Sequence, residues 1–173
     1  MINRRTFIKS SLIAGGVIAA GTVFYSQIPV DEISEDLKNS DLKFLTENDV
    51  IVLLAIVPVL LHGTDLNPGK IKTVIRNIDA NTQILSIKSQ SELRELFDLL
   101  SGKLGRAMIV GIWSSWQHAS TEEINKFLIS WQNSFTDLLQ VGYQGLKQLV
   151  IANYYSDEEN WQQIGYAGPP VLF

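Results

Sequence analysis

The hydrophobic positions of this chain recur in blocks with helical spacing. Val50 to Leu61 is apolar nearly all round. That pattern predicts a helix buried on several sides rather than one with a single wet face. The run is short for a membrane span, and Pro58 sits within it. A proline lacks the N–H and crowds the preceding turn, so the helix should kink or end there. Thr46, with Asp49 three residues on, reads as the cap that opens it, and His62-Gly63 as its C-terminal stop. A second helix is expected from Pro68, a first-turn proline, to about Ile78. Ile71, Val74, Ile75 and Ile78 share its apolar face. Asn77 to Ser91 is polar and punctuated, which reads as loop or broken helix. Ser91 then caps a helix from Glu92 to Leu100, with Leu93, Leu96, Phe97 and Leu100 on one face.

Leu104 to Trp116 is apolar and contains Gly105 and Gly111. Met108-Ile109-Val110 favours a strand, but no second strand pattern exists to pair with it, so helix is expected. Ser120 and Glu123 form a capping box at the start of the longest helix. Its stripe runs through Ile124, Phe127, Leu128, Trp131, Phe135, Leu138 and Leu139, then Leu146, Leu149, Val150 and Tyr154. Gly142 and Gly145 interrupt it. A helix-interior glycine costs about 1 kcal/mol, so a packing reason is expected, such as close approach of another helix. From Tyr154 to Phe173 the chain is dense in aromatics, Gly and Pro. Gly168-Pro169-Pro170 forces an extended path. The expected fold is all-α: one helical bundle after an N-terminal signal helix, with an irregular aromatic tail.

Composition narrows the function. The net charge is −4 and no basic cluster lies beyond the first residues, which argues against nucleic acid as a partner. The chain has no cysteine, which excludes disulfides, Cys-x-x-Cys-His haem attachment and cysteine-ligated iron–sulfur clusters. His62 and His118 are far apart and lack ligand-spaced companions, so no metal site is expected. Asp157, Glu158 and Glu159 could do acid–base work only in a cleft. On a loop they read as a solvated face. No phosphate loop or nucleophile motif appears, so no catalytic residue and no cofactor-binding residue is assigned.

The N-terminus carries an address. Arg4-Arg5, then Phe7, Ile8 and Lys9, precede an uncharged, Ala- and Gly-rich run to Val30. The pattern resembles the twin-arginine export signal, with Asn3 where Ser or Thr is commoner and Ile8 where Leu is commoner. Arg4, Arg5, Phe7 and Lys9 are its recognition residues. The resemblance implies a receptor-read signal and a passenger folded before export through the twin-arginine translocase. Ala19 and Gly21 offer a cleavage pair, and the uncharged run is also long enough to remain as an anchor. Both fates stay open. The expected division is residues 1–30 as signal or anchor, 31–43 as an acidic linker with one or two helical turns, and 44–173 as a helical domain in the periplasm.

The C-terminal third carries a second resemblance. Ser130-Trp131, Gly142-Tyr143, Gly145-Leu146, Tyr154-Tyr155, Trp161 and Gly165-Tyr166-Ala167-Gly168-Pro169-Pro170 resemble the small subunits of membrane-bound, flavin-dependent sugar and polyol dehydrogenases. The relatives are those acting with sorbitol, fructose, glucose and gluconate dehydrogenases. The resemblance implies a non-catalytic subunit without its own cofactor. Its partner would be a large FAD-binding flavoprotein of the glucose–methanol–choline type, with a multihaem cytochrome often accepting the electrons. The small subunit would escort that partner through the export pore. Tyr155, Trp161, Tyr166, Pro169 and Pro170 are the candidate interface, since Trp and Tyr dominate binding hot spots. The same aromatics could instead staple the chain's own bundle, as Trp131 is expected to do. The alternative function is a stand-alone, membrane-anchored periplasmic helical protein with a structural or ligand-binding role.

Overall fold

The computed structural model describes residues 30–38, 40–102 and 115–169. The export-signal residues Arg4, Arg5, Phe7 and Lys9 lie outside them, as do Pro170 and nearly all of the helix expected from Leu104 to Trp116. The described chain is all-helical: α1 (Val30–Lys38), α2 (Glu47–Leu60), α3 (Pro68–Gln83), α4 (Ile87–Ser101), α5 (Thr121–Gln132) and α6 (Asp137–Tyr155). Short 3-10 turns cover Trp116–His118, Glu158–Asn160 and Gln162–Ile164.

Helix α2 is the hub because its sequence has no polar side. One stripe, with Val50, Leu53, Leu54 and Val57, packs into a core formed with α1, α3 and the C-terminal half of α6. The other, with Val52, Ala55 and Ile56, meets Leu100, Trp116, Phe127, Trp131 and Leu146. Two core faces on one helix are what an all-round apolar run requires. The expected start holds: Thr46 and Asp49 form a capping box, the Asp49 carboxylate accepting the Thr46 N–H at 2.8 Å. Helix α2 runs on past Pro58 to Leu60, and Gly63 turns the chain beyond it at φ +91°.

Several expected boundaries are corrected. Helix α3 continues to Gln83 instead of stopping near Ile78, and the stretch from Asn77 to Ser91 is the broken helix rather than the loop, interrupted over residues 84–86 before the next helix. Its polar residues there bond to neighbouring elements: Asn77 and Asn81 reach α6, and Asp79 holds the chain before α2. Helix α4 starts at Ile87 with Ser86 as its cap, not Ser91. The acidic stretch before Asp41 is helical over Val30–Lys38, and Ile33 and Leu37 are fully buried in the core.

The single long helix expected after Ser120 is two. The capping box of Ser120 and Glu123 opens α5 as expected, but α5 stops at Gln132 and α6 begins at Asp137. Between them Ser134 binds the Thr136 N–H, and the Gln140 side chain caps the Ser134 carbonyl at 2.7 Å. Such local side-chain bonds offer the backbone an alternative to the helical ladder. The stripe breaks with the helix, leaving Phe135 fully exposed and Leu138 79% exposed. The chain folds back so that α5 and α6 pack together. A Cβ on Gly142 would lie 2.9 Å from the Trp131 ring, so glycine is required there by close approach. At Gly145, by contrast, no described residue lies within 4 Å of where a Cβ would sit.

Candidate functional site

The aromatic tail is built from the end of α6 outward. Tyr154 is fully buried beside α2 and α3, while the next residue, Tyr155, is half-buried at the edge of the same core. Their rings meet edge-to-face at 5.0 Å. Past Ser156 the helix cannot continue usefully, and two 3-10 turns wrap the chain back. Asp157 caps the first by accepting the Glu159 N–H at 3.1 Å. Buried Asn160 donates its amide to the Tyr154 carbonyl at 2.8 Å. Trp161 donates its indole N–H to the Tyr155 carbonyl at 2.7 Å. Both bonds satisfy carbonyls that the end of a helix leaves without partners.

Gly165 closes the second turn in the left-handed region, at φ +68°. That reversal lets Tyr166 donate its N–H to the Trp161 carbonyl and places the two rings edge-to-face, 5.2 Å apart. Gly168, at φ +96°, passes against the face of Trp161, where a Cβ would sit 3.3 Å from the ring. Gln163 ties the knot to the bundle: its side-chain oxygen accepts from the Tyr154 hydroxyl and from the Asp65 N–H before α3. Trp161 is half-buried, whereas Tyr166, Ile164 and Pro169 face outward, Tyr166 at 47% exposure. Of the candidate interface residues, Tyr155, Trp161 and Tyr166 therefore come together, with Pro169 at the outer edge. The tail is a packed aromatic knot with one open side.

Other polar chemistry sits elsewhere. Asp49 is fully buried and accepts two guanidinium bonds from Arg94, each 2.8 Å. Arg94 also bonds Asp98 and lies over the rings of Phe44 and Phe97. The hydrogen bond to Asp49 leads the causes that raise the Arg94 pKa above its ordinary value. The cluster clamps α2 to α4. No periodicity signalled Arg94; the sign of its role was the acidic third residue of α2. His118 bonds Ser115 at 2.7 Å, and both histidines are exposed. Among the described residues no group of three or more potential metal ligands converges, and no helix is long and apolar enough to cross a membrane. Comparison with protein-family models, curated proteins and solved structures found no match to this chain.

Proposed function

We propose that this chain is the non-catalytic small subunit of a periplasmic or membrane-associated, FAD-dependent sugar or alcohol dehydrogenase. It binds a large flavoprotein of the glucose–methanol–choline type and escorts it through twin-arginine export. The observation that carries this reading is the tail. The residues that resemble the small-subunit family, Tyr154-Tyr155, Trp161 and Gly165-Tyr166-x-Gly168-Pro169, make one ordered knot whose open side presents Tyr166, Ile164 and Pro169. Half-exposed aromatics held rigid by their own hydrogen bonds suit a binding hot spot, because little side-chain freedom is lost on docking. The Arg4-Arg5 signal supports the escort role, since FAD must load before a folded flavoprotein crosses the membrane. FAD belongs to the partner, and a multihaem cytochrome is the expected electron acceptor.

The test is recovery of the full chain from membranes through a C-terminal tag, with a flavin absorbance spectrum of the product. A yellow complex with one large flavoprotein is expected. Arg4→Lys with Arg5→Lys should then strand that flavoprotein in the cytoplasm. A colourless small protein recovered alone would overturn the reading and favour a stand-alone anchored domain.

A further inference from the structure

The aromatic knot is fastened to the bundle without entering its core. Among the described residues, none beyond Tyr155 joins either core cluster. Between Asp157 and Pro169, Asn160 is the one buried residue. The Trp161 ring rests on Tyr166 and Gly168, which belong to the knot itself. The end of α6 is held independently of all this. Asn77 on α3 donates to the Ser156 hydroxyl, which donates in turn to the Asn153 carbonyl. The knot begins one residue later. Its bonds from the side chains of Asn160 and Trp161 reach back to the last turn of α6. Among the described residues, Gln163 is the one that also bonds across to another element: its side-chain oxygen accepts from the Tyr154 hydroxyl at 3.2 Å and from the Asp65 N–H at 3.1 Å. Gln163 is solvent-exposed, so water competes for both bonds. Closure also carries a cost. The Asn160 side-chain oxygen is buried, with no hydrogen-bond partner among the described residues. An acceptor in that state favours any movement that returns it to water.

We propose that residues 157–169 form a strap that opens as a unit after Ser156 while the bundle stays folded, that Gln163 is its latch, and that docking of the partner holds it closed. The last step rests on the small-subunit reading; the first two do not. A segment with few buried apolar contacts and exposed hydrogen bonds opens at a free energy well below that of global unfolding. Opening orphans no core donor, because the Tyr154 hydroxyl exchanges Gln163 for water. In the closed form the Trp161 and Tyr166 rings stand edge-to-face as one rigid surface. In the open form that surface is lost, so a protein that binds the closed strap stabilises it by mass action. Knot order and partner binding then become one linked event.

The experiment follows amide hydrogen exchange in the tagged full chain, alone and in the complex recovered from membranes, with Tm measured alongside. The amides of Asn160, Trp161, Ile164, Gly165 and Tyr166 are bonded within the knot and report its opening. In the chain alone they should exchange about tenfold or more faster than the amides of α2. Gln163→Leu should speed them by about a further fivefold, the worth of roughly one hydrogen bond, and leave α2 exchange and Tm unchanged. Gln163→Glu keeps an acceptor for both donors and should restore the wild-type rate. Knot amides that exchange at the α2 rate overturn the strap. So does a Gln163→Leu chain in which α2 exchange quickens and Tm drops, which would make the knot a staple of the bundle. Knot exchange unchanged in Gln163→Leu overturns the latch. In the complex the knot amides should slow by about tenfold or more; the free-chain rate with flavoprotein present overturns closure by docking. A chain that recovers no flavoprotein overturns the small-subunit reading, whereas the strap and its latch are read on the chain alone.

Discussion

Asp79 accepts the backbone N–H groups of Lys43, Phe44 and Leu45, the last two at 2.8 Å, and is itself 4% exposed. One side chain on α3 thus satisfies three donors that precede α2. Removing it leaves the buried Leu45 donor without a partner and the part-buried Lys43 and Phe44 donors to water, and bonds to a charged group are the costly ones to lose. Asp79→Ala should destabilise the fold by about 3 kcal/mol, read as a lower urea midpoint at unchanged slope. A midpoint within error of wild type would show that water replaces the carboxylate. Trp161 differs in kind. Its ring rests on Gly168 and Tyr166 at the surface of the knot, away from the α2 stripes. Trp161→Ala should change Tm little while partner binding weakens by about 2 kcal/mol or more. A large fall in Tm, with binding per folded molecule unchanged, would make Trp161 an internal staple.

At the scale of elements, capping chemistry was the most legible signal. Thr46 with Asp49 and Ser120 with Glu123 both form capping boxes. Such boxes depend on a few adjacent residues, which is why they can be read locally. The Glu123 pKa is lowered, chiefly by the Ser120 backbone N–H and then its hydroxyl. A depressed carboxylate contributes stability that is present above its unfolded pKa and is lost as pH falls through the folded one. The start of α5 should therefore weaken below about pH 4. Glu123→Gln should flatten the fall of Tm between about pH 5 and pH 3; an identical slope would show that other carboxylates govern it. Where elements end was less legible. Ser91 was as good a cap as Ser86 on local grounds, and α4 begins at the earlier one. The stripe from Phe127 to Tyr154 kept helical spacing across a break that Ser134, Thr136 and Gln140 make with their own side chains.

At the scale of the whole molecule, α2 divides the interior: among the described helices α1 and α3 pack on one of its stripes, α5 on the other, and α4 and α6 reach both. Fold class followed from the sequence because apolar spacing of three and four residues sets a helix's buried side without reference to any neighbour. The buried role of the Val50–Leu61 block and the Trp131 staple were determined the same way, and the irregular tail by its density of aromatics, Gly and Pro. Only the tertiary structure decided which polar residues are structural. Asp79 and Arg94 look like any surface charge in the chain, and their partners lie 34 to 45 residues away; the Asp49 cap was legible locally, but not its pairing with Arg94. It also decided that α1 belongs to the core rather than to a linker, because Ile33 and Leu37 need α2 and α3 to cover them. The two glycines of α6 state the division most plainly. Both interrupt the same stripe in sequence, yet Gly142 lies against Trp131 and Gly145 against no described residue. Local spacing says what a helix can bury; what a bare backbone meets depends on where another element passes.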